Sequence, residues 1–165
     1  MGNLKMRKIN KLGLLGISVI GSGWAARALH AGIDVIANDI NPKMEDLIQS
    51  KIKTAFLSLD MLTEGMNVPP KGQLTFTKDP IEMANNSDFI QENVPEVLEI
   101  KRKALAPIAE ATEADVIISS STSGFIPSKL QEGMTNPERF VVGHPFNPVY
   151  LCPLVEIVGG TQTTN

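Results

Sequence analysis

The chain is poor in cysteine, histidine, aromatic rings and net charge. Its single cysteine, Cys152, has no internal partner for a disulfide, and one cysteine with two histidines makes no zinc-type cluster. A reducing, cytoplasmic setting follows. Fifteen Lys and Arg against 18 Asp and Glu leave a formal charge of −3. That excess is mildly acidic and supplies no basic face of the kind that displaces counterions from nucleic acid. No apolar stretch nears the roughly 20 residues that span a bilayer, so no membrane partner is expected. Lys5, Arg7, Lys8 and Lys11 ahead of an apolar run over 12–20 resemble a secretory signal, but a strand and a glycine turn explain the same residues better. Met6 stands where myristoylation wants Ser or Thr. What is present is globular: 42% apolar and 20% charged residues over 165 positions suit a single domain with one sizeable core.

Along the chain, short apolar runs alternate with helical periods. Residues 8–15 read as a strand and 18–31 as an Ala-rich helix stopped by Gly32; 34–39 is a second strand. Asn41-Pro42 opens a second helix with Pro at its first position, and Met44, Leu47, Ile48, Ile52, Ala55, Phe56 and Leu59 form its apolar stripe. Further strands are expected at 73–77, 87–91, 115–119, 139–143 and 154–158, with helices at 79–85, 97–111 and 127–134. This alternation predicts an α/β fold of Rossmann type, a doubly wound, mostly parallel sheet covered on both faces. The whole of 1–165 reads as one domain, with 1–7 flexible and 159–165 the start of a connection. In such sheets ligands sit beyond the carboxyl ends of the strands, where the winding reverses.

Two glycine fingerprints overlap. Gly21-Ser22-Gly23-Trp24-Ala25-Ala26 fits G-x-G-x-x-A but has only a short strand before it. Gly16-Ile17-Ser18-Val19-Ile20-Gly21 follows the better strand and leaves a full helix behind it. In that register Asp39 ends the next strand, where a carboxylate bonds the ribose hydroxyls of NAD and repels the 2′-phosphate of NADP. The second position is Ser18 where Gly is expected, so a β-carbon and hydroxyl face the pyrophosphate. The same glycines also serve a fold in which they only let helix and strand pack closely.

Gly143-His144-Pro145-Phe146-Asn147-Pro148, followed by Leu154-Val155-Glu156, is the most distinctive stretch. A histidine ending one strand and a carboxylate on the next can form an acid–base pair. Imidazole titrates near neutrality and can take a hydroxyl proton as hydride leaves, while the carboxylate orients the ring. A histidine satisfied within a proline-rich turn is the plainer alternative.

At these residues the sequence resembles the 3-hydroxyacyl-CoA dehydrogenase superfamily, and within it the branch of L-carnitine dehydrogenases. The motifs that carry the likeness are V-I-G-S-G-W-A-A-R (19–27), S-T-S-G-F (121–125) and G-H-P-F-N-P-V-Y-L-C-P-L-V-E (143–156). The resemblance implies an NAD-dependent oxidoreductase that oxidises a 3-hydroxyl, that of L-carnitine or a related 3-hydroxyacid, to a ketone. Its alternatives are a 3-hydroxyacyl-CoA dehydrogenase, against which Pro145 and residues 149–152 speak, and a non-catalytic NAD-binding fragment. By resemblance His144 is the general base, Glu156 its partner, and Ser123 contacts the substrate hydroxyl. Glu96 and Lys101 match positions lining the cofactor site, and Asn147 supports the nicotinamide end. Without the family, Glu96 and Lys101 read as an ordinary solvated pair. Phe146 or Tyr150 is expected to face a quaternary ammonium, which aromatic faces attract; equally, both could simply pack the turn after His144.

Further expectations follow. Cys152 reads as a small buried hydrophobe, and His30 as a surface residue. Family members continue beyond 165 into a helical domain that completes the pocket and carries most of the dimer contact. The isolated chain should therefore turn over little, and an apolar patch around its last strand should invite a helical partner domain or a homo-oligomer.

Overall fold

The computed structural model describes residues 7–164. Seven strands form one sheet in the order β3-β2-β1-β4-β5-β6-β7. They are β1 (Lys11–Leu15), β2 (Asp34–Asn38), β3 (Leu74–Thr77), β4 (Phe89–Glu92), β5 (Ile117–Ser120), β6 (Phe140–Pro145) and β7 (Val155–Gly159). The first six run parallel; β7 returns antiparallel along β6. From β1 the chain winds outward to β2 and β3, then crosses back to β4 on the other side of β1. The winding therefore reverses between β1 and β4, and a crevice opens there beyond the strand ends.

Helices cover both faces. On one lie α1 (Val19–His30) and α2 (Met44–Leu62), packed through Leu14, Ile17, Ala25, Leu29, Val35, Ala37, Ile48 and Ile52. On the other lie α3 (Pro80–Asn85), α4 (Leu98–Ala111) and α5 (Pro127–Gln131), closing over Met83, Ile90, Leu105, Ile108, Ile118, Leu130 and Phe140. Each fully buried Leu, Ile or Phe contributes about 1.5–3 kcal/mol, so these two clusters dominate stability. Small residues let α1 lie close to the sheet. A β-carbon on Gly21 would collide with the Gly16 carbonyl, and one on Gly23 would sit 2.8 Å from Cβ of Val149.

Several expectations need correction. Pro42 does not open α2, because side chains hold 39–43 in successive turns. Asp39 Oδ1 accepts the Asn41 N–H at 2.9 Å and Asn41 Oδ1 accepts the Lys43 N–H at 3.1 Å, so the helix starts at Met44. The final short helix stops at Gln131, as Gly133 takes φ +78°. His30 is not on the surface: it is 4% exposed, with Nε2 3.2 Å from Asp60 and its ring 6.0 Å from Phe56. The close approach of α2 to α1 buries it.

Of residues 1–7, only Arg7 is among those described. It is tied to Asp115 at 2.7 Å, Glu113 at 3.0 Å and Asp88 at 3.1 Å. Asp88 also accepts the N–H groups of Asn10 and Lys11, both at 2.9 Å. Burial pushes the Asp88 carboxyl up, but those N–H groups and the guanidinium together hold it below the ordinary carboxylate range. A depressed folded-state value means stability that is present above the unfolded value and lost as pH falls through the folded one. Asp88→Asn should thus cost about 1–2 kcal/mol at pH 7. Urea midpoints should show that deficit shrinking below about pH 4; a deficit independent of pH would refute the charge argument.

Candidate active site

Gly16 leaves β1 with φ +92°, and a β-carbon there would lie 3.0 Å from the Asn93 and Val94 backbone at the end of β4. The turn therefore sits at the reversal between β1 and β4, where only glycine fits. Ser18 follows in extended conformation, φ −88° and ψ −171°, and caps α1 by accepting the Gly21 N–H at 3.3 Å. Its β-carbon is accommodated without strain. Val19 and Ile20 open the helix, whose N-terminus carries a partial positive charge. The alternative fingerprint from Gly21 to Ala26 lies inside α1 and makes no turn. β2 delivers Asp39 beside the turn, where Oδ2 accepts the Ile17 N–H at 2.8 Å. An apolar side chain, Ile40, stands fully exposed next to it.

Across the reversal, β4 ends in two buried polar residues, Gln91 and Glu92, and a third, Asn93, follows directly. Ser121 Oγ accepts from Gln91 Nε2 at 2.7 Å and from Trp24 Nε1 at 3.3 Å, and donates to Asn93 Oδ1 at 2.8 Å. Gln91 Nε2 also donates to the carbonyl of Gly143, just before His144, at 3.1 Å.

Beside this network lies a buried ion cluster. Lys101, 1% exposed, places Nζ 2.8 Å from Oε1 of Glu92, which is wholly buried. The same ammonium reaches the Val94 carbonyl at 3.1 Å and Glu96 Oε2 at 3.2 Å. Glu92 accepts further bonds from the Ser120 hydroxyl and, at 2.6 Å, from the Val94 N–H. Half-exposed Glu96 accepts from the Thr122 hydroxyl and, at 2.8 Å, from the Gly124 N–H. Burial pushes the Glu92 carboxyl up against the pull of Lys101. Burial also opposes ionisation of Glu96, but its hydrogen bonds to Thr122 and Gly124 and its pairing with Lys101 hold it below the ordinary range. Glu96 and Lys101 are thus no solvated pair. Sequence reasoning missed Glu92; the available signal was a charge ending a strand that is otherwise enclosed by the fold.

The β6–β7 pairing sets His144 directly opposite Glu156, with Nδ1 3.0 Å from Oε2. Both line a cavity of about 280 Å³ with Thr122, Ser123, Gly124 and Phe125. His144, Glu156 and Ser123, from three separate stretches, share one space. The Phe146 ring stands 5.8 Å from the His144 ring. Tyr150 does not join them. The chain turns at Pro148, whose carbonyl accepts the Leu151 and Cys152 N–H groups at 2.9 Å, and Val149 is carried onto Gly23. Tyr150 and Asn147 therefore line a different cleft of about 420 Å³, with Val19 and Ser22 of α1 and Ser50, Lys51 and Thr54 of α2. Cys152, in the same turn, is partly exposed rather than buried. The expected apolar patch is present: Ile126, Leu154, Ile157 and Val158 are exposed around the edge strand β7. Among the described residues no His, Cys, Asp and Glu group is arranged to hold a metal, and no helix is long and apolar enough to cross a membrane.

The family described as the 3-hydroxyacyl-CoA dehydrogenase NAD binding domain matches residues 11–165. An L-carnitine dehydrogenase of Pseudomonas putida is 47% identical over 159 residues, covering 95% of this chain and 49% of that protein. An L-carnitine dehydrogenase/betainyl-CoA thioesterase of a Rhizobium species is 48% identical over 159 residues, 96% of this chain and 32% of that protein. The chain thus spans a third to a half of these relatives' length. Among solved structures, a 5-formyl-3-hydroxy-2-methylpyridine 4-carboxylic acid 5-dehydrogenase, an NAD+ dependent dismutase, superposes with a TM-score of 0.86 at 33% identity over 95% of this chain and 51% of its own. The 3-hydroxybutyryl-CoA dehydrogenase of Escherichia coli shares the fold, with a TM-score of 0.83 at 24% identity over 96% of this chain and 34% of its own.

Proposed function

Since this chain belongs to the family of 3-hydroxyacyl-CoA dehydrogenase NAD-binding domains, we propose that it forms the cofactor-binding and acid–base half of a cytoplasmic oxidoreductase that converts the 3-hydroxyl of L-carnitine to a ketone. The observation that carries this reading is the His144–Glu156 pair, 3.0 Å apart beside Ser123 in one cavity. With Nδ1–H donating to Glu156, the neutral ring keeps its lone pair on Nε2, free to take the hydroxyl proton. The carboxylate then stabilises the imidazolium that forms, and Ser123 holds the substrate oxygen.

The glycine turn fits a dinucleotide, because glycine at 16 and 21 lets the turn fold tightly against Asn93 and Val94 and brings the N-terminus of α1 to the crevice beside Asp39. Bound NAD supplies the hydride acceptor. Residues 16–21 would hold its diphosphate, Asp39 the adenosine ribose, Ile40 the adenine face, and Glu96, steadied by buried Lys101, the nicotinamide half, whereas Asn147 lines the α1–α2 cleft instead. Carnitine as substrate is supported by the names of the relatives 47–48% identical to this chain, and by Phe146, whose ring next to His144 offers a face to a trimethylammonium group. A further helical domain, or a second copy, would cover the apolar patch at β7 and close the cavity from water.

Titrating the chain with NADH and NADPH, read by its one tryptophan, Trp24, tests the cofactor half. Saturable NADH binding without NADPH binding is expected; binding of neither leaves a non-catalytic fragment. Joining the chain to the C-terminal half of the Pseudomonas putida relative tests the substrate. NADH should form from L-carnitine and not from a 3-hydroxyacyl-CoA, and the reverse preference would overturn the carnitine assignment.

A further inference from the structure

The Glu92–Lys101 pair is hard to explain by stability. A buried ion pair roughly breaks even against apolar side chains of the same size, because desolvation offsets the attraction. A wholly buried carboxylate and a 1% exposed ammonium at the carboxyl end of a central strand therefore point to another role. Their bonds lead outward to the candidate site. Lys101 Nζ joins Glu92 on its buried side to Glu96 Oε2 on its open side. Glu96, in turn, takes the Gly124 N–H and the Thr122 hydroxyl with its other oxygen, on either side of Ser123. A β-carbon on Gly124 would lie 3.1 Å from that oxygen, so the turn rests directly on the carboxylate. Ser123 opens into the cavity of His144 and Glu156. Asp39, by contrast, belongs to the far end of the crevice, after β2.

We propose that Glu92 is a positioning residue for the nicotinamide half of the cofactor site, acting through Lys101 to hold the Glu96 carboxylate under the turn that presents Ser123. This rests on the reading of the chain as an NAD-binding domain and adds a residue to it. With Glu92 in place the ammonium is shared between two carboxylates, and Glu96 keeps one oxygen for the turn. Without the Glu92 charge, Lys101 has Glu96 as its only carboxylate partner. It then draws Glu96 inward, away from Thr122 and Gly124. Asp39, at the adenosine end of the site, bonds only the Ile17 and Asn41 N–H groups among the described residues and has no part in this chain of contacts.

The test compares NADH with ADP-ribose, which has the adenosine and diphosphate but lacks nicotinamide, by Trp24 titration of the 165-residue chain. Glu92→Gln should weaken NADH about tenfold, the scale of a lost charge-assisted hydrogen bond, and leave ADP-ribose within about twofold. Glu96→Gln should give the same selective loss. In the Glu96→Gln background, Glu92→Gln should add less than about twofold, as coupled neighbours do. Ser120→Ala keeps the Glu92 charge but removes the hydroxyl bond to Glu92 and the acceptor of the Thr122 N–H at 3.3 Å, and should shift NADH selectively by a smaller factor. It carries the test if Glu92→Gln does not fold. Equal losses of both ligands, no loss of NADH, or an undiminished effect in the Glu96→Gln background would each overturn the positioning role. Wild-type chain that binds neither ligand would overturn the cofactor reading and this inference together, whereas wild-type binding with no selective loss in the variants would remove only the inference.

Discussion

Replacing His144 with Gln is expected to lower L-carnitine oxidation by about 10²–10⁴-fold, the usual contribution of a positioned general base. The rate would be followed as NADH formed by the chain joined to a relative's C-terminal half. NADH binding by the isolated chain should stay within about twofold, because His144 lies on β6, away from the glycine turn. Glu156→Gln should approach the same loss for a different reason. An amide facing Nδ1 can donate its own N–H, which forces the ring proton onto Nε2 and removes the lone pair that takes the substrate proton. A His144→Gln variant that keeps more than about a tenth of the rate would remove His144 from the role of base. An intact rate in Glu156→Gln would mean that the 3.0 Å contact only holds β7 to β6.

The second large effect concerns cofactor choice. Asp39→Asn should weaken NADH about tenfold and strengthen NADPH by a similar factor, so the preference falls about a hundredfold, or ~2.7 kcal/mol. Two terms act together. The ribose hydroxyls lose a charged acceptor, and the 2′-phosphate loses a like charge at close range. Asn keeps one oxygen to accept from the turn, which limits damage to the bonds that Asp39 makes with the Ile17 and Asn41 N–H groups. Trp24 titrations with both nucleotides measure the ratio. An unchanged ratio would place the 2′-position away from Asp39 and refute the ribose assignment.

Much of this molecule was legible without coordinates because the signals are local. Apolar runs such as 12–15 and 35–37 have no polar alternation, as strands enclosed on both faces require, and the helical stripe of α2 recurs from Met44 to Leu59. The glycine turn was legible because a residue with φ +92° must be glycine-like wherever it occurs. His144 and Glu156 could be paired because they flank one reversal of the chain, and the antiparallel register then sets them opposite each other.

Contacts between distant segments were not legible. His30 looked like a surface residue until α2 brought Asp60 and Phe56 against it. Tyr150 and Phe146 stand four positions apart, yet the turn at Pro148 sends one to the α1–α2 cleft and leaves the other beside His144. Glu92 carried no motif; only the crossing of α4 over the end of β4 put the Lys101 ammonium on it. The sequence by itself determined the alternation of elements, the glycine turn, and the closeness of His144 and Glu156 along the chain, since periodicity and backbone conformation are properties of neighbours in the chain. Tertiary structure alone decided which charges are buried and which side chains share a cavity, because burial and pairing depend on elements that meet only when the sheet is wound.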